Sequence, residues 1–436
     1  MGQTNRTLLK VLVEQRRLRY VDFEREFRRK ADQLNLRNLS VSESQFRRWT
    51  SGRVALPGAD ASRVLELMFG VEVAKLFGPP PSSELAETTF NLEDEIAMTA
   101  RDAQSEARAA AAESISDTTL DQLREDVINL ARSYSCIAVF DVFRKAKELR
   151  EEAEAERDRT QVPAQKQELL ILAGQACALL ATAAFDLGSF DSARRLSRAA
   201  SLYGETARFD PLRAFAGGIL SYIAYFSGMP AEAAQVARRA QTFDGLGDVG
   251  RRRLAAIEAR AHAHLGDAAS TRRALEASQS EGPGLRDDLH DVVAGEFGFS
   301  SERLAMSNAS TFLLIGDADG AEAAAKRSLE FASARPAAGR AVRVIGGAAA
   351  DLAMARLLRE DLDGAVHAMT PVWDVPRGQR SPGLLARTAR VRRMLTDTRF
   401  APVPAARELA LQIEDFTRMS DTHRLGPGTA LAALES

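Results

Sequence analysis

A short turn followed by a small residue recurs five times after residue 165, and it limits the possible folds more than any other feature of the chain. The turns read LGSFDSA to Ala193, SGMPAEA to Ala233, LGDAAST to Thr271, IGDADGA to Ala321 and REDLDGA to Ala365, at spacings of 40, 38, 50 and 44 residues. A glycine stands five positions before the small residue in four of them, and Glu360 takes that place in the last. Each turn is flanked by apolar helical patterns, as in ACALLATAAFDLG followed by SFDSARRLSRAASLY. Glycine permits the tight turn, and the small residue lets the second helix lie close against the first. One such hairpin cannot bury its apolar side, so neighbours must stack into a curved array. An all-α fold is expected, since no run of period-two alternation offers a strand.

The pattern resembles tetratricopeptide repeats. Gly188, Ala193 and Ala200 fall at that family's turn-glycine and small-residue positions, as do Gly228, Ala233 and Ala240. The spacing exceeds the family's unit of about 34 residues, so the array is read as tetratricopeptide-like, with a degenerate further pair over residues 118–158. Of the 436 residues 45% are hydrophobic, 27% charged and only 6% aromatic, which excludes a disordered or collagen-like chain and favours helices. Cys136 and Cys177 are the only cysteines. Two thiols can build neither a disulfide framework nor a structural zinc site, and a reducing cytoplasm is the expected setting. The start, MGQTNRTLLKVLVEQRR, lacks a secretory pattern. The most apolar stretch, Leu169 to Leu187, contains Gln175, Thr182 and Asp186 and is followed directly by its hairpin partner, so it reads as a buried repeat helix and not a membrane span.

Residues 1–78 hold 15 Lys and Arg against 9 Asp and Glu, a net of +6, whereas the remaining 358 hold 43 against 51, a net of -8. A basic unit joined to an acidic body suits a nucleic-acid binder with a separate regulatory domain. The proline run in GPPPSSE ends the first unit. The expected organisation is therefore a helical bundle over 1–78, a linker and alanine-rich connecting helix over 79–116 (the helix at 92–112), and the repeats over 117–436. Asp117 is read as the N-cap of the first helix of that last part. Within the bundle, SVSESQFRRWTSGRVALP predicts a short helix capped by Ser40 and Glu43. Val41, Phe46 and Trp49 would face inward and Ser44, Arg47 and Arg48 outward. Helices around Leu8–Leu18 and Phe23–Leu34 and two after Pro57, with Val64, Leu65, Met68, Val71 and Leu76 inward, complete about five.

These residues resemble the Cro/C1-type (XRE-type) helix-turn-helix family. The likeness rests on Phe46, Trp49 and Gly52, Pro57 five residues on, and the closing run from Leu67 to Gly78. It implies that the third helix enters the major groove of double-stranded DNA, with Glu43, Ser44, Arg47 and Arg48 meeting base edges and Arg53 meeting phosphate. Joined to helical repeats, the whole resembles a group of actinobacterial transcriptional regulators. That likeness implies a sequence-specific regulator, dimeric on two-fold half-sites, whose repeats take a peptide, small-molecule or protein effector. An interaction scaffold whose bundle binds protein is the alternative reading.

Enzyme chemistry finds little footing. The string Gly245-Leu-Gly-Asp-Val-Gly250 matches a dinucleotide fingerprint but follows a helix where that motif needs a strand, so it is read as an inter-repeat turn. His262 and His264, two apart on a helix, point to different sides and do not form a chelating pair. Asp287, Asp288, His290 and Asp291 are read as a solvated loop or helix cap. No catalytic residue, metal or cofactor is expected. Alignment on the turns places Tyr222, Tyr225, Arg253, Arg260, His264, Arg303 and Ser310 on the concave side of the array, where arginines and tyrosines would suit a carboxylate-bearing or peptide effector.

Overall fold

The computed structural model describes residues 7–36, 39–54, 56–80, 96, 98–105, 114–336 and 339–420. Every regular element among them is helical. The chain divides into two compact units, Met1–Gln104 and Ser105–Ser436. Residues 98–105, within the expected connecting helix, are helical. The remainder of that helix, apart from residue 96, lies outside the described residues, as does most of GPPPSSE.

The first unit contains α1 (Leu8–Gln15), α2 (Tyr20–Gln33), α3 (Glu43–Thr50), α4 (Ala59–Phe69) and the short α5 (Val73–Leu76). Apolar residues at helical spacing meet in one core: Leu9, Val13, Phe23, Phe27, Val41, Trp49, Val64, Leu65, Met68, Phe69 and Leu76. Aromatic rings carry much of it, Trp49 lying 6.1 Å from Phe27 and Phe46 lying 4.8 Å from Phe23. Tyr20 donates its hydroxyl to the Val41 carbonyl at 3.0 Å, tying α2 to the entry of α3. The cap of α3 differs from the expected one. Ser42, not Ser40, is the N-cap, and Gln45 completes the capping box. Both serines fit the S-x-x-[E/Q] pattern, but only the Ser42 register sets Val41 just before the cap and Phe46 four residues after it, the arrangement of a hydrophobic staple. Likewise Ser116, not Asp117, caps the first helix of the second unit.

That unit begins with α6 (Asp117–Ser133) and α7 (Val139–Arg159), the pair anticipated over 118–158. Successive hairpins follow: α8 (Pro163–Asp186) with α9 (Phe190–Thr206), α10 (Asp210–Phe226) with α11 (Pro230–Ala240), α12 (Asp248–His264) with α13 (Ala268–Gln279), α14 (Ser301–Leu314) with α15 (Ala318–Ser333), and α16 (Val342–Leu358) with α17 (Leu362–Ala368). Then come α18 (Thr370–Trp373), α19 (Pro382–Leu395) and α20 (Pro404–Arg418). First helices α8, α10, α12, α14 and α16 pack on one another in sequence, and each second helix packs on its own partner. Ala193, Ala233, Thr271, Ala321 and Ala365, the small residues of the five turns, are fully buried where the paired helices approach. The wider third spacing, between Thr271 and Ala321, accommodates an inserted segment with a π-helical turn, Asp288–Val293. Beyond the last hairpin, α19 packs on α16 and also reaches α8. The array therefore returns on its first hairpin, and Asp186 at the end of α8 joins Tyr134 and Arg343 there.

Among the described residues α8 is the one helix long and apolar enough to cross a membrane, yet 72% of its apolar window is buried within the fold. Its apolarity on all sides follows from its neighbours, since α7, α9 and α10 cover it. Cys177 is buried in this helix, whereas Cys136 lies exposed in the turn after α6.

All five turn positions adopt left-handed backbone: Gly188, Gly228, Gly266 and Gly316 at φ 71–85°, and Glu360 at φ 62°. Glu360 thus does at a steric cost what glycine does freely. Glu360→Gly is expected to raise stability by about 0.5–1 kcal/mol, relief of the side chain outweighing the added freedom of the unfolded chain. Gly266, around which a Cβ would meet nothing within 4 Å, provides the converse. Gly266→Ala should cost about 1 kcal/mol through backbone conformation alone. Urea midpoints of the two variants measure both effects.

Candidate nucleic-acid interface and repeat-domain site

In the first unit, burial of Val41 and Trp49 turns the opposite side of α3 outward. Glu43, Ser44, Arg47, Arg48 and Arg53 are all exposed, and together with Ser51, which the sequence reading did not single out, they line one shallow concavity. Arg47 pairs with Glu43 one turn back. Both side chains are more than half exposed, so the pair is weak and easily exchanged for another partner. Gly52 at φ 69° ends the helix and starts the chain toward Arg53, whose amide donates to the Arg48 carbonyl at 3.1 Å. The result is a rigid eight-residue helix, fixed from behind by aromatics and capped in front, that presents two arginines, a serine and a carboxylate on one surface. Arginine forks and a carboxylate acceptor are the groups that read guanine and cytosine edges.

In the second unit the residues placed on the concave side by alignment fall into distinct environments. Arg253 is buried, its guanidinium 4.2 Å from the Phe215 ring centroid. A Cβ on Gly218 would lie 2.2 Å from its Nη1, so the bare backbone there makes room for it. Burial draws its guanidinium down to about 10. Arg303 is held by Glu296 at 3.0 Å. Tyr222 is half-buried against Phe185. The remaining four come together. The Tyr225 hydroxyl and His264 Nε2 are 2.6 Å apart. Arg260 is buried and donates through Nη2 to the carbonyl and hydroxyl of Ser307 at 3.1 and 3.0 Å. Ser310 donates to Asp351, a buried carboxylate on α16 that also accepts from Arg387 at 3.0 Å and lies 3.6 Å from Arg390.

Asp351, Arg387 and Arg390 were not found from the sequence. The two arginines stand three apart on one side of α19, beyond the last recognisable turn, where no repeat alignment reaches. Their spacing was the available signal.

Burial in the crowded wall, together with the charges of Arg390 and Arg260, pushes His264 down from 6.5 to about 4. The residue nonetheless stays exposed to water. The folded protein therefore binds fewer protons than the unfolded chain between pH 6.5 and 4, and stability should fall as pH is lowered through that window. His264→Gln is expected to flatten this part of the stability profile, measured as urea midpoint against pH.

A cavity of about 850 Å³ adjoins the network, and five arginines line it: Arg132, Arg303, Arg335, Arg343 and Arg387. Each has a partner already. Arg335 meets Glu302 at 2.9 Å, Arg343 meets Asp186, and Arg132 donates to the carbonyls of Val292 and Val293. His290, which lines the same cavity, and Asp287 correct the expectation of a solvated loop: both are buried, with Nδ1 of His290 2.9 Å from each Asp287 oxygen. The helix-cap part of that reading agrees with the structure, since Asp287 caps the π-helical turn through the His290 amide and also accepts from the Gly247 amide, each at 2.8 Å. Burial raises the Asp287 carboxyl, but these bonds outweigh it and hold the group below the usual carboxylate range. The Gly245–Gly250 string forms the connection into α12, with Gly247 as its N-cap. His262 sits beside Glu258 at 3.4 Å, and among the described residues no group of three or more His, Cys, Asp and Glu is placed to hold a metal ion.

A scan against protein-family models gives no match, and a search of curated proteins gives none either.

Proposed function

We propose that the protein is a sequence-specific DNA-binding transcriptional regulator of the Cro/C1 (XRE) type, whose tetratricopeptide-like repeats take an effector and mediate dimerisation. The observation that carries the reading is the exposed side of α3, where Glu43, Ser44, Arg47 and Arg48 share one surface with Arg53 while Trp49 anchors the helix from behind. The charge division supports it, since the +6 unit is the one that would meet phosphates. Two copies on two-fold half-sites would double a readout that one short helix limits to a few base pairs.

Fluorescence anisotropy of the full chain against duplex fragments of its own upstream region tests the proposal. Arg47→Ala with Arg48→Ala should weaken binding to the preferred fragment by about 100-fold and erase the preference over other fragments. Equal loss on every fragment would make these arginines phosphate contacts. Undiminished binding would remove α3 from the interface. Failure of the unaltered protein to bind any duplex would favour the scaffold reading, in which the same arginine surface meets an acidic protein.

A further inference from the structure

Charge is unbalanced on the wall where residues of α10, α12, α16 and α19 meet. Three guanidiniums, Arg260, Arg387 and Arg390, act on one another and on Tyr225, and Asp351 is the one carboxylate paired with any of them among the described residues. Asp351 is committed to Arg387 and Ser310 and reaches Arg390 at 3.6 Å. Arg260 has no carboxylate within ion-pair distance among the described residues. It is 7% exposed, and its Nε has no hydrogen-bond partner. A buried guanidinium without a counter-charge is costly, and native folds pair such groups or bring an anion to them. In the neighbouring cavity Arg303, Arg335 and Arg343 do each face a carboxylate, and buried Arg253 lies over the Phe215 ring. Unlike Arg253, which an aromatic ring covers, the Arg260–Arg390 cluster is reachable, since Arg390 is about a quarter exposed and His264 faces water.

We propose that this wall is an oxyanion site, taking the carboxylate or phosphate group of a small ligand between Arg260 and Arg390, with the Tyr225–His264 pair beside it. The neutral imidazole and the hydroxyl supply directional hydrogen bonds that suit an oxygen-bearing group better than a halide. Arg387 both grips Asp351 and lines the 850 Å³ cavity, so the body of a ligand held here has space beside its anionic end. The proposal rests on the regulator reading only for its role as an effector site; the charge argument stands without it.

The test is thermal unfolding of the full chain in sodium citrate and in sodium phosphate, each compared with sodium chloride at equal ionic strength, for the unaltered protein and for Arg260→Met. Both oxyanions stabilise proteins generally through exclusion from the surface, and that part is common to the two proteins and cancels. The expected result is an additional rise of about 3–5 °C in the unaltered protein at a hundredfold excess over the dissociation constant, absent from Arg260→Met. In chloride, Arg260→Met should unfold at the same temperature or higher, because it removes an uncompensated charge; a structural arginine would do the reverse. Should Arg260→Met not fold, Arg390→Gln, at a partly exposed position, gives the same comparison. A response to citrate alone assigns a carboxylate ligand, and a response to phosphate alone a phosphate. Equal shifts in variant and unaltered protein, or no additional shift with either oxyanion, would overturn the site. Anisotropy on duplex DNA with and without the effective anion then separates the two readings. Specific stabilisation with unchanged DNA affinity leaves the site in place and removes its sensor role, whereas absence of DNA binding speaks against the regulator reading alone.

Discussion

Gly295→Ala is expected to destabilise the repeat unit by about 3 kcal/mol or more, far beyond an ordinary surface change. Two effects combine. Gly295 has φ 59°, where an L side chain costs about 1–2 kcal/mol. A Cβ there would also fall 2.4–2.6 Å from the carbonyl of Ala131 and the amide nitrogen of Arg132, and backbone atoms inside a helix cannot move aside. The close approach is needed because Glu296 donates its amide to the Ala131 carbonyl at 2.8 Å, while Arg132 reaches back to Val292 and Val293. Those bonds clamp the inserted segment onto the end of α6 and seat Phe297, fully buried, 4.9 Å from the Phe215 ring. Gly298→Ala is the control. Its nearest neighbours lie at 3.4–3.5 Å, ordinary contact, and the change should cost less than about 1 kcal/mol. Urea midpoints for the two variants decide the matter, and comparable small losses would mean that the clamp is not tight.

That segment also marks where sequence reasoning stops being informative. The turn register was legible, even through Glu360, because the left-handed turn and the buried small residue are local requirements that five copies of the hairpin repeat. The inward side of the bundle was legible for the same reason: Phe23, Phe46, Trp49, Val64 and Leu65 obey helical periodicity. The cap of α3 was legible but misassigned by two residues, since the position of Val41 before the cap and Phe46 after it distinguishes Ser42 from Ser40. Ion pairs across the array were another matter. Asp186 and Arg343 are 157 residues apart, and Arg387 lies 36 from Asp351. Nothing in the spacing of either announces its partner, because the packing of helices far apart in the chain sets both. The same limit explains Arg253, which the alignment put on an open concave surface and the fold buries over Phe215. Alignment on a turn gives a position along a helix and says little about how deeply the neighbouring helix covers it.

Asp351→Ala should be the more damaging way to disturb the concave wall, at about 3–5 kcal/mol, because it removes the one anion and leaves the cations in place. Asp351 is 1% exposed and Arg387 8%. Without the carboxylate, Arg387 loses its ion pair, Ser310 loses its acceptor, and Arg387, Arg390 and Arg260 repel one another where water cannot fully screen them. If loss of the counter-charge is the cause, neutralising a cation should recover much of the loss. The double variant Asp351→Leu with Arg387→Met replaces a buried ion pair by apolar groups of similar size, a change that is often close to neutral. The ordering that follows is specific: the single variant well below the unaltered protein, the double variant near it. A cavity effect alone would predict otherwise, since Asp351→Leu already fills the space and Arg387→Met would add nothing. Urea midpoints for Asp351→Ala, Asp351→Leu and the double variant separate the two causes, and a single-variant loss under about 1 kcal/mol would show that solvent already screens the wall. In that case Arg260 would carry no uncompensated charge, and the driving force for an oxyanion on this wall would be gone.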